Sequence, residues 1–164
     1  MALQGGEITG ETGYRAAMET SCVPVAHALR LPPGTDLRVA LETHAKVVPL
    51  LAAGIVSVVG SLTVARIRMA GAEEIRELPG PLEILSLSGT LGAEGAHLHI
   101  MVSDREGTCT GGHLCPGSTV HTTAEVVLLQ LPGLRFAREH DARTGYPELA
   151  IHRIGRGTGT PPDV

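Results

Sequence analysis

The sequence predicts an α+β domain: a mostly antiparallel sheet of about seven strands, with one long helix after the first strand. Three observations carry this. Helical periodicity appears once, short apolar runs bounded by turn residues fill the rest, and 43% hydrophobic residues in 164 suffice for one buried core.

The first strand ends at Leu31, where Pro32-Pro33-Gly34 breaks it. Thr35 or Asp36 then offers a side-chain oxygen to cap a helix. Leu37, Ala40, Leu41, Ala45 and Val48 recur at helical spacing, and Pro49 stops the run, with Gly54 expected to close the last turn. Strands are expected at 55–59, 62–69, 82–87, 97–102, 108–114, 120–129 and 134–138. The stretch "REHDARTGYPEL" after them reads as a turn-rich excursion, with Tyr146 covering an apolar edge or closing over a pocket. Residues 1–22 and 155–164 lack periodicity and read as a flexible leader and tail around a domain at 23–154.

Composition narrows the function classes. Aromatics are 2%, too few for a base-stacking platform, and the formal charge of −4 gives no basic footprint for DNA. Cys22, Cys109 and Cys115 are odd in number and form no C-x-x-C pair, which suits free thiols in a reducing compartment. The start of the chain has neither a basic segment nor an apolar stretch, and the run at 47–59 is too short to span a bilayer. The expectation is a protein that is not secreted, cytoplasmic or nuclear, without membrane contact. There is no Walker loop, G-x-S-x-G elbow, Rossmann fingerprint or H-E-x-x-H, so those activities drop out.

The informative stretch is "GAHLHIMVSDREGTCTGGHLCPG", residues 95–117. Side chains alternate along a strand, so His97 and His99 share a face. Asp104 and Gly107 stand where a type I turn with a glycine bulge wants them. Pairing Asp104 with Thr108 sets His99 directly opposite His113, with His97 diagonal to it. A slip of one residue would send His113 to the other face. In this register three imidazoles can converge on zinc and leave a fourth position open, as in catalytic rather than structural sites. Cys115 shares the parity of His113 and offers a thiolate as an alternative ligand. Gly111-Gly112 would leave room beside His113 for a small molecule. The competing reading is a hairpin whose imidazoles are satisfied or half-exposed and hold nothing.

The segments "GPLEILSLSGTL", "AHLHIMVSDREGTCTGGHLCPGSTVHTTAEVVL" and "DARTGYPEL" resemble the PPC domain, the plant and prokaryote conserved domain, over about 25–151. The resemblance implies a single α+β domain that assembles as a homotrimer. It also implies that the histidines matching His97, His99 and His113 hold a metal, zinc being the expected ion. Plant members follow AT-hooks and carry a DNA-binding label. An AT-hook needs an R-G-R-P core, and Gly155-Arg156-Gly157 lacks its second arginine and proline. Two functions therefore stand: a small metal-binding protein, extending to a metal-dependent enzyme acting on an unknown small molecule, or a DNA-binding or protein-interaction module. No catalytic residue is assigned.

Two carboxylates interrupt apolar runs. Glu125 in "AEVVLLQL" and Glu83 in "PLEILSL" read as buried groups, either supporting a metal-bound histidine or ion-paired across an interface. His44, His140 and His152 read as surface residues, and His27 as either lining the site or pointing outward.

Overall fold

The computed structural model describes residues 23–154; the leader and tail expected from the sequence lie outside them. The elements run β1 (Val25–Leu31), α1 (Leu37–Val47), β2 (Ala53–Arg68), β3 (Ile75–Gly92), β4 (Gly95–Ser103), β5 (Cys109–Leu114), β6 (Thr119–Gln130), β7 (Leu134–His140) and β8 (Pro147–Arg153). The first six strands in sheet order β1-β6-β2-β3-β4-β5 pair antiparallel, and β7 and β8 form a second, two-stranded sheet. The α+β class holds, with eight strands in two sheets where about seven in one were expected.

The sheet curls on itself because β5 also pairs with β2, through Ile67 with Leu114 and Arg68 with His113. Two rungs thus close a barrel of β2, β3, β4 and β5. Its interior is aliphatic, with Leu62, Ile67, Leu91, Leu98, Val102 and Leu114 almost fully buried. Burying each such side chain stabilises the fold by about 1.5–3 kcal/mol.

α1 lies against this core through Leu37, Leu41 and Ala45, one face at i, i+4, i+8. Asp36 caps it: one carboxylate oxygen accepts from Val39 N at 3.0 Å and the other from Gly117 N at 2.6 Å. One residue thus starts the helix and ties it to the turn before β6. Gly54 lies inside β2 and does not close the helix.

Two of the expected strands, 55–59 and 62–69, fuse into β2 through Gly60, where any side chain would collide with the backbone of Thr123. β3 begins at Ile75, upstream of the expected 82. Its early half carries Pro79 and Pro81, residues that read as breakers, and the β2–β3 register shifts nearby, between Leu62 and Val64. Among the described residues, no helix is long and apolar enough to cross a membrane.

Candidate metal centre

The turn between β4 and β5 forms as its residues dictate. Asp104 accepts from Glu106 N at 3.0 Å and Thr108 N at 2.8 Å, and Gly107 takes the left-handed conformation at φ 83°. The register that follows pairs Ser103 with Cys109 and His99 with His113, as the turn chemistry predicts. Leu98, Ile100 and Val102 point into the barrel, so His97 and His99 point outward.

The three imidazoles meet. Ring centroids lie 5.0 Å apart for His97 and His99, 5.2 Å for His97 and His113, and 5.8 Å for His99 and His113. Each ring offers a nitrogen within 4.8 Å of the other two. The Nε2 atoms of His97 and His99 are 3.2 Å apart. Two nitrogens bound tetrahedrally to one zinc at 2.0–2.1 Å would lie roughly 3.3–3.4 Å apart.

The electronic state suits a ligand set. Burial, followed by the charges of Arg38 and Arg68 and then His97 and His99, pushes the His113 pKa down to about 4. Burial also lowers that of His97, as do the charges of Arg138, His99 and Arg38, against the opposing pull of Glu148. Both rings therefore stay neutral at ordinary pH, the form that coordinates a metal. Nδ1 of His113 is buried without a hydrogen-bond partner, while Nε2 faces the Arg38 guanidinium at 3.2 Å. On nitrogen spacing and protonation state, the residues fit a divalent metal.

Arg38 holds the site from the helix side. Its guanidinium donates to Leu114 O at 2.6 Å, Ala96 O at 3.0 Å and Glu42 Oε1 at 3.0 Å, and lies 3.2 Å from His113 Nε2. The side chain clips α1 to the ends of β4 and β5. Nothing in the helical pattern marked Arg38 as more than a polar neighbour of the apolar stripe.

Other expected site residues fall elsewhere. Glu125 and Glu83 are exposed, since Val126 and Ile84 take the inward positions, so neither is a buried carboxylate behind the histidines. Cys115 is buried, its thiol directed to His113 O at 3.6 Å, and does not join the cluster. The glycines beside His113 have a packing role: a Cβ on Gly112 would lie 2.6 Å from Ile67 Cγ2 and 2.8 Å from Arg68 O. Gly112 thus lets β5 approach β2, and Gly111, whose Cβ would lie 2.9 Å from Ile100 O, lets it approach β4. His44 is half-buried with Nε2 unpartnered, and its pKa is lowered by burial and then by His27. His27 bonds Gln130 at 3.1 Å, away from the cluster, and His152 pairs with Glu139 at 2.8 Å.

A cleft of ≈ 1120 Å³ opens beside His97 and His113. α1 forms one wall and the start of β8 the other, with Tyr146 at the rim.

Residues 19–132 match the model of the Plants and Prokaryotes Conserved (PCC) domain, the PPC domain that the motifs resemble. The chain belongs to this family. The match stops before the β7–β8 hairpin, which the motif resemblance had partly included. The chain is also 46% identical over 136 residues to the bifunctional protein GlmU of Synechococcus sp. (strain JA-3-3Ab). That similarity covers 83% of this chain but only 22% of the relative's length. A crystal structure of a hypothetical Salmonella cholerae-suis protein is 42% identical with a TM-score of 0.80, covering 82% of this chain and 97% of that one. A metal-containing protein from Archaeoglobus fulgidus is 32% identical with a TM-score of 0.66, covering 77% and 93%. A putative DNA-binding protein from Bacteroides thetaiotaomicron shares the fold at 17% identity and a TM-score of 0.65, covering 78% and 91%.

Proposed function

We propose that this PPC domain is a metal-binding protein that holds zinc between His97, His99 and His113. One observation carries the reading: three outward-facing imidazoles converge within 4.8 Å, and two of them, His97 and His113, line a cleft sized for a small molecule. The donor set, three nitrogens without a carboxylate or thiolate, favours zinc and leaves room for a further ligand. When bound, such an ion supplies Lewis-acid chemistry, which is the sense in which the domain would be a metal-dependent enzyme. The chain's own contribution is to hold the rings neutral and to fix their orientation through the β4–β5 register and Arg38. The metal-containing Archaeoglobus relative supports the same reading.

Assembly as a homotrimer belongs to this proposal. It is supported by the apolar side chains exposed on the sheet, Val59, Leu85, Met101 and Val127, which a single copy leaves in water. An intracellular location suits the free thiols of Cys109 and Cys115.

Elemental analysis of protein purified without a histidine tag tests the metal. We expect close to one zinc per chain, and background levels in the His99→Ala/His113→Ala double variant with the far-UV circular dichroism unchanged. Wild-type protein without zinc after supplementation would overturn the proposal. The alternative, a DNA-binding module, has a shared fold in its favour and a net charge of −4 against it. Salt-sensitive retention on DNA is its test.

A further inference from the structure

The charges around the histidine cluster point beyond the metal. β5 lies between β4 and β2, and the register sets His99 opposite His113 and His113 opposite Arg68. All three stand in one row across the sheet, so Arg68 is the next side chain after the histidines. A second arginine, Arg138, comes from β7 on the far wall of the cleft. It donates to Thr90 Oγ1 at 3.1 Å, and Thr90 is the cross-strand partner of His97. Each end of the cluster thus has an arginine beside it.

The partners of these arginines are neutral. Arg68 donates to Ala72 O at 3.3 Å and Arg138 to the Thr90 hydroxyl, and neither forms an ion pair among the described residues. Of the acidic side chains lining the cleft, Glu42 is engaged by Arg38 and Glu94 by Arg135. Glu73 and Glu148 are left to balance Arg68, Arg138 and Lys46, and no carboxylate enters the cluster itself. Half-buried guanidinium groups facing neutral imidazoles are an arrangement that a bound anion completes, because planar forks pair with carboxylate or phosphate through two parallel bonds.

We propose that the cleft binds a small molecule through an oxyanion, a carboxylate or a phosphate, gripped by Arg68 and Arg138 beside the histidine cluster. This rests on the metal reading in one respect: a dication on three neutral ligands adds to the positive charge and strengthens the demand for an anion. The cleft's ≈ 1120 Å³ exceeds a bare oxyanion many times over, so the anionic group is one end of a larger ligand.

Calorimetric titration of inorganic phosphate and, separately, malonate into the full zinc-loaded chain tests the proposal. At least one anion should bind, and the stronger identifies the group, while the neutral malonamide should not. Arg68→Met and Arg138→Met should each weaken binding by roughly tenfold or more, with zinc content and melting temperature unchanged. Arg68→Lys keeps the charge and should restore part of the affinity. Equal affinity in the Arg68→Met/Arg138→Met double variant, or no binding of either anion at millimolar concentration, would overturn it. Should the chain take up no zinc, the same titration is run on metal-free protein. Arginine-dependent binding there upholds the oxyanion site while the metal reading falls, and its absence sinks the oxyanion site too.

Discussion

Two hairpins border the cleft, and they are built on different terms. The β4–β5 hairpin is enclosed: β3 flanks one side, β2 closes on the other, and four of its side chains, Leu98, Ile100, Val102 and Leu114, reach the central core. The β7–β8 hairpin is appended. It is a separate two-stranded sheet, attached through Leu134 and Phe136 against Ala52, through Phe136 N to Leu51 O at 2.9 Å, and through side-chain bonds of Arg135 and Arg138. The enclosed hairpin fixes three nitrogens relative to one another, as a shared ion requires. The appended one supplies Arg138, Pro147 and Glu148 to the cleft and lies beyond the family match.

The sharpest way to break this contrast is Gly112→Val. The added side chain would meet the backbone of Arg68, which the sheet holds in place, so we expect a loss of about 4 kcal/mol, above the ordinary overpacking range of 1–3. Thermal denaturation reads it. A melting temperature close to wild type would show that β5 is not clamped as described. Phe136→Ala should act on the other hairpin alone. It removes the main anchor of β7–β8 at a partly solvated rim, for roughly 2–3 kcal/mol, somewhat below the usual range for a buried phenylalanine. Amide exchange should accelerate across 134–153 while the amides of β4 and β5 keep their protection. Equal acceleration in β4 and β5 would mean that the two hairpins unfold as one.

The smallest effect is one of pH. His113 has its folded pKa lowered to about 4, so between there and its ordinary 6.5 the unfolded chain binds a proton that the folded chain refuses. Stability of the metal-free protein should therefore fall as pH drops from 6.5 towards 4, with His97 adding in the same direction. Denaturant melts of His113→Gln across this window should give a shallower slope than wild type. An unchanged slope would show that His113 is not held neutral by its surroundings.

Legibility in the sequence divides along the same line. The β4–β5 register could be read because Asp104 and Gly107 are local signals, and a turn type propagates along both strands. The early part of β3 could not, since Pro79 and Pro81 look like breakers until a strand is seen to tolerate them beside a register shift. β8 was hidden by a proline start and by alternation in a strand that faces water on most of its length. Glu125 and Glu83 were misplaced for a related reason. Their runs look uniformly apolar because the outer face of the sheet also carries Val127 and Leu85, and periodicity cannot say which face is inside. Arg68 became visible only when β2 met β5, a contact between distant segments that no local pattern announces.

That contact has one more consequence. The barrel is held shut by a seam of two rungs, and the lower rung joins Arg68 to His113. A ligand that held both side chains would therefore tie β5 to β2 across the same seam. The closure also runs on past β5 without any ligand: Cys115 N donates to Arg66 O at 2.9 Å and Arg66 N to Ser118 Oγ at 2.9 Å, so the segment leading into β6 continues the same line of attachment.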